Sequence, residues 1–123
     1  MAEVIADTSP IQYLHQLRLV YILPAFFHRI IVPEAVVAEL AEGRRLGLDL
    51  PDPVHLRWLT IRTIAVPSLL RLVRDLGPGE REALALALEN PGSRILTDDR
   101  LARRVALELS IPHTGTLGIL LRA

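Results

Sequence analysis

The sequence predicts an α/β fold with a central parallel sheet flanked by helices, and three observations carry that expectation. Short strand-like runs at 4–6, 30–32, 59–66, 94–97 and 111–114, the first two wholly apolar, alternate with longer stretches of helical periodicity, the pattern of strands joined by helical crossovers. Two of those runs stop abruptly at acids, Asp7 and the pair Asp98-Asp99. Half of the 123 residues are hydrophobic, enough for one core that buries roughly two-thirds of the unfolded surface. A single domain over 1–123 is therefore expected.

Val4-Ile5-Ala6 reads as a buried strand that runs into the helix-capping sequence Asp7-Thr8-Ser9-Pro10. A helix is expected from about Ile11 to Leu23, and Ile30-Ile31-Val32 is the second strand. Pro33 suits the first turn of the next helix and Glu34 its positive end; that helix is expected to end at Gly43, before a loop carrying Arg44 and Arg45. Leu59 to Val66 is rich in β-branched residues and reads as a third strand. Two helices, Ser68 to Leu76 and Glu80 to Glu89, are separated by Gly77-Pro78-Gly79. Arg94 to Thr97 forms a strand, the following helix reaches Leu109, Ile111 to Thr114 is a short last strand, and Thr116 starts a terminal helix.

Composition excludes several kinds of chemistry. All 14 basic residues are Arg and are balanced by 14 acids, so the chain is no polycation, and nucleic-acid binding would require clustering of those Arg residues. With no Cys, disulfides, thiolate metal sites and Cys nucleophiles are absent, in keeping with a reducing, cytoplasmic setting. The first residues carry acids where a secretion signal has bases, and the apolar run Leu19 to Phe27 falls well short of the ~20 residues that span a bilayer. No membrane association is expected. The chain has no phosphate-cradling Gly-rich loop or dinucleotide fingerprint, and its four His residues show no paired spacing. A phosphoacceptor receiver domain would call for a Lys near the last strand, and there is none.

In open α/β sheets, ligands bind beyond the carboxyl ends of the strands, where Asp7 and Asp98-Asp99 would meet if their strands are central and parallel. Asp7 has a bland role available as a helix cap, but Thr8 and Ser9 can cap equally well. Strand alternation places Thr97 and Asp99 on one face and Asp98 on the other. Glu39 lies at the edge of its helix's apolar stripe, whereas Glu42 points away. Glu80 continues the face of Ala83, Leu84 and Ala87, which prefers it narrowly over Glu82; both also suit the first turn of a helix. Such acids are the hard oxygen ligands that Mg²⁺ or Mn²⁺ takes.

Taken in order, Val4 to Pro10, Val32 to Glu39, Leu76 to Ala83, Leu96 to Arg100 and Thr114 to Gly118 resemble the motif series of PIN-domain proteins, in particular the branch of VapC-type toxins. The resemblance covers nearly the whole chain. It implies a PIN-like fold and a metal-dependent endoribonuclease that cleaves single-stranded RNA, with Mg²⁺ or Mn²⁺ held by Asp7, Glu39, Glu80 or Glu82, and Asp99. Ser9 and Thr97 fall where the family places polar helpers of the pocket, and Asp98 stands beside them. It also implies a toxin paired with a small antitoxin protein, and a homodimer, for which the surplus apolar surface of Leu19 to Phe27 gives a separate reason.

Arg100, Arg103 and Arg104 share one helix face directly after Asp99, as RNA phosphates would require, though a solvated helix face accounts for the same pattern. The few aromatic residues argue against a base-stacking platform. A non-catalytic PIN-like module that binds RNA or a protein is the alternative, and metal affinity separates the two.

Overall fold

The structure, a computed structural model, describes residues 3–122. Five parallel strands form one sheet in the order β3-β2-β1-β4-β5, with β1 at Val4–Ala6, β2 at Ile30–Pro33, β3 at Leu59–Arg62, β4 at Arg94–Leu96 and β5 at His113–Thr114. Six α-helices connect and cover them: α1 Thr8–Gln16, α2 Ile22–Phe27, α3 Glu34–Arg45, α4 Pro78–Glu89, α5 Arg100–Glu108 and α6 Thr116–Arg122. The α/β architecture is the expected one.

Side-chain alternation along the central strands divides the core in two. Val4, Ala6, Ile30, Val32 and Leu96 pack on one face against Ile11 and Leu14 of α1, Leu23 of α2, Val36 and Leu40 of α3, and Ile119 of α6. Ile5, Ile31 and Ile95 face the other way, onto Leu84 and Leu86 of α4 and Ala102 and Ala106 of α5. Because both faces are covered, β1 and β2 are apolar throughout rather than alternating with polar residues.

Several element boundaries differ from expectation, each for a physical reason. The helix expected over 11–23 is two helices, because Arg18 adopts a left-handed conformation (φ 62°) and α1 closes there with Arg18 N–H donating to His15 O and Leu19 N–H to Leu14 O. Helix α3 runs through Gly43 to Arg45. Gly43 is inside it because a Cβ there would lie 2.2 Å from Leu50 Cδ1, so the glycine admits the returning loop; the glycine that ends the helix is Gly47, at φ 90°. Arg44 and Arg45 thus belong to the helix, where Arg44 donates to Pro51 O (2.6 Å) and Arg45 pairs with Glu42 (2.6 Å). Strand β3, at the sheet edge, stops at Arg62, and the segment expected as a helix over 68–76 is a 3₁₀ turn at Pro67–Val73. Among the described residues no helix is long and apolar enough to cross a membrane.

Candidate functional site

The parallel register of β1 on β4 pairs Val4 with Arg94, Ile5 with Ile95 and Ala6 with Leu96. One further step brings Asp7 beside Thr97, both on the face of Ile5 and Ile95. Asp7 N–H donates to Leu96 O (3.1 Å), and the Thr97 hydroxyl donates to Asp7 Oδ2. Both side chains are fully buried. Asp7 occupies the N-cap position of α1 but its carboxylate takes no cap hydrogen bond, and Oδ1 has no partner at all. A buried, half-orphaned carboxylate is costly, because the desolvation penalty stands without compensation.

Helices α3 and α4 pass each other in opposite senses at the same edge, so Glu39 meets Gly79 while Ala35 meets Glu82. The Thr8 hydroxyl donates to Glu39 Oε1, and Gly79 N–H reaches Oε2 at 3.4 Å. Gly79 has a steric reason to lack a side chain: a Cβ would sit 2.3 Å from Glu39 Oε1 and 3.2 Å from Thr8 Oγ1. Glu80, half-buried next along α4, completes the group.

Electrostatics tie these carboxylates together. Burial pushes the Asp7 pKa up to about 8, the charges of Glu80, Asp98 and Asp99 push in the same direction, and the Thr97 hydroxyl opposes them. Glu80 is also raised, first by burial and then by Glu39 and Asp99, against the opposing effect of its own backbone N–H. Both shifts favour the protonated form of these acids.

The remaining expected residues fall as follows. Asp99 is the N-cap of α5, its Oδ2 accepting from Ala102 N–H (2.8 Å), while its charge still reaches Asp7 and Glu80. Asp98 turns to the start of α6, where Oδ1 accepts from Thr116 N–H (2.6 Å) and Oδ2 from the Thr116 hydroxyl. Glu82 Oε1 accepts from Ala35 N–H (3.0 Å) in the first turn of α3. Ser9 is half-buried in the first turn of α1, where its neighbour Thr8 is the residue that touches Glu39. Sequence reasoning gave Thr8 only a capping role and passed over Gly79. The motif Gly77-Pro78-Gly79-Glu80 held the signal for the latter, since a second glycine inside a helix start calls for a close neighbour. Arg100, Arg103 and Arg104 are exposed on α5.

All the donors are hard oxygens, and the unpartnered Asp7 Oδ1 is an atom that a cation would satisfy, so the chemistry fits Mg²⁺ or Mn²⁺. The geometry is not a closed cage: among the described residues no three His, Asp or Glu side chains converge as a ready-made metal group. Threonine hydroxyls hold two of the carboxylates instead.

No curated protein matches the chain significantly. A family model described as a PIN domain matches residues 3–123. That span runs from before β1 to the end of the chain and includes every strand and each of the carboxylates, so the chain belongs to the PIN-domain family.

Proposed function

We propose that this protein is a divalent-metal-dependent endoribonuclease acting on single-stranded RNA. The observation that carries this reading is Asp7: a fully buried carboxylate with one oxygen unpartnered, close enough to Glu80 and Asp99 for their charges to raise its pKa. A structural carboxylate would have been given a cap or a cation, and Asp7 has neither.

Asp7, Glu39, Glu80 and Asp99 would hold Mg²⁺ or Mn²⁺, with Glu80 preferred to Glu82 because the charge of Glu80 couples to Asp7, Glu39 and Asp99, whereas Glu82 reaches away to Ala35 N–H. When bound, such a cation neutralises charge on the scissile phosphate and acidifies a water. Thr97 fixes Asp7 Oδ2 and leaves Oδ1 facing the site, while Thr8 and Gly79 orient Glu39 from opposite sides. Asp7 would ligate through its deprotonated carboxylate, its proton passing to solvent. A bound cation would offset the mutual repulsion of these acids. No side chain acts as nucleophile.

The VapC-like motif series further supports a cytoplasmic toxin of a toxin–antitoxin pair, with a small antitoxin protein as its partner. Tyr21 and Phe26, which flank the buried Ile22 and Leu23 at 63% and 39% exposure, support a homodimer through α2. A non-catalytic binding module is the second reading, favoured by the absence of a closed three-acid group among the described residues. The test is cleavage of a labelled single-stranded RNA with Mn²⁺, with Mn²⁺ and excess chelator, and by the Asp7→Asn variant. Cleavage in the first case alone supports the nuclease; none in any case, with a folded protein, leaves the binding module.

A further inference from the structure

Helix α5 breaks the rules that govern stable helices. Three arginines occupy its first half, at the positive end of the helix dipole, where cations are disfavoured. Arg100 lies three residues from Arg103 and four from Arg104, so like charges stack on one face at the spacings that destabilise a helix. Among the described residues, no ion pair or side-chain hydrogen bond engages Arg100, Arg103 or Arg104. Leu107, one turn on, continues the same face with 71% of its surface exposed.

These four side chains line a shallow pocket with Asp98 and His113. Asp98, whose oxygens accept from Thr116, sets one negative charge against three positive ones, and no ion pair joins it to them. His113 Nδ1 lies 3.3 Å from Ile111 O, and the ring lines the pocket as a flat surface. The pocket therefore offers unpaired guanidinium groups at one end and an apolar residue with an imidazole at the other. Phosphate and base are the two halves of a nucleotide.

Resting on the nuclease reading above, we infer that α5 is the track along which single-stranded RNA leaves the acid site. Arg100, Arg103 and Arg104 hold its phosphates, and Leu107 with His113 seats one unpaired base. Asp99 caps this helix, so the track starts at the carboxylates, and Leu107 lies about 12 Å further along at 1.5 Å per residue. The site selects single strands because a base can reach Leu107 and His113 only if it is unstacked.

The experiment measures binding of a short, fluorescein-labelled, mixed-sequence single-stranded RNA by anisotropy, with chelator present to prevent cleavage, at several salt concentrations. Arg103→Ala with Arg104→Ala is expected to weaken binding at least about tenfold and to flatten the salt dependence by about 0.7 per lost phosphate contact. Leu107→Ala with His113→Ala is expected to weaken single-strand binding about fivefold or more, in line with loss of one stacked base, leaving the salt slope and weak duplex binding unchanged. All these side chains are outside the core, and unchanged circular dichroism confirms folding. Unaltered affinity and slope in the arginine variant overturn the inference, as does equal competition by poly-glutamate, which would assign the face to an acidic protein segment. Unaltered affinity in the Leu107/His113 variant overturns the base seat. If those negative results come with Mn²⁺-dependent cleavage by the parent, the track alone fails; if the parent neither binds nor cleaves RNA, the nuclease reading fails with it.

Discussion

Strands β1 and β4 lie side by side in the middle of the sheet, and both run out into acids at a strand-to-helix turn, yet those acids are used differently. At the end of β4, Asp98 and Asp99 do what short acids ordinarily do at such turns: each accepts a backbone N–H at the start of a helix, α6 for Asp98 and α5 for Asp99. At the end of β1, Asp7 stands in the same position relative to α1 and accepts none. It is also the more deeply buried: Asp7 is fully enclosed, whereas Asp98 and Asp99 are half-buried. An acid that forgoes the available cap and keeps a bare oxygen inside the protein is destabilising where it stands. The difference teaches that position in the fold alone does not single out the strained carboxylate; the hydrogen bond it leaves unmade does.

The largest expected effect tests Asp7 itself. Asp7→Asn should reduce metal-dependent RNA cleavage by more than the ~100-fold that misorienting a metal ligand costs, while the metal-free melting temperature stays equal or rises. A capping role predicts the reverse, little change in either, because Asn caps about as well as Asp. Loss of activity together with a lowered melting temperature would mean that Asp7 is structural after all.

A smaller effect is expected one layer out, at Gly79. Gly79→Ala should lower Mn²⁺ affinity about 10- to 100-fold, measured by calorimetry, because the new methyl displaces Glu39 from Thr8 and from the Gly79 amide. Folding stability should change little, since alanine is the better helix former. Unchanged Mn²⁺ affinity would remove Glu39 from the site.

At the end of β4 the expected effect is on stability. Asp98→Ala should cost about 1–2 kcal/mol, seen as a lower denaturation midpoint, by freeing the Thr116 N–H and hydroxyl. Mn²⁺ affinity should stay near that of the parent. A large loss of metal binding would place Asp98 with Asp7 and dissolve the contrast between the two strand ends.

The last effect is a pH dependence. The folded-state pKa of Asp7, about 8, lies above its ordinary 3.8, so between those values the folded protein holds a proton that the unfolded chain has lost. Stability contributed by Asp7 is complete below about pH 4 and is lost as pH rises towards 8; Glu80 acts in the same direction. Without metal, the melting temperature of Asp7→Asn relative to the parent should therefore climb across that window. A flat difference would mean that the buried carboxylate is not strained.

The alternation of short apolar runs with helical stretches was enough to read the parallel α/β fold, because every central strand is covered on both faces and so reads as continuously apolar. Asp7 and Thr97 were legible too, through strand parity and motif. What escaped the sequence depended on distant neighbours. Gly43 resembles a helix stop until Leu50 is seen packed on it, and Arg18 gives no local sign of the left-handed conformation that ends α1. Glu80 and Glu82 both fit the first turn of α4, and only the antiparallel passage of α3 shows that Glu82 is taken by Ala35. Thr8 is indistinguishable from a cap until Glu39, 31 residues away, is placed beside it.

The central claim, that Asp7 keeps an oxygen bare in order to meet a metal ion, is tested most directly by soaking crystals in Mn²⁺ and computing an anomalous difference map at the manganese edge. The account predicts a peak at coordination distance, about 2.1 Å, from Asp7 Oδ1, with Glu39, Glu80 or Asp99 among its other neighbours. A manganese ion bound elsewhere with Asp7 Oδ1 still bare, or none bound at Mn²⁺ concentrations that support cleavage, would contradict it.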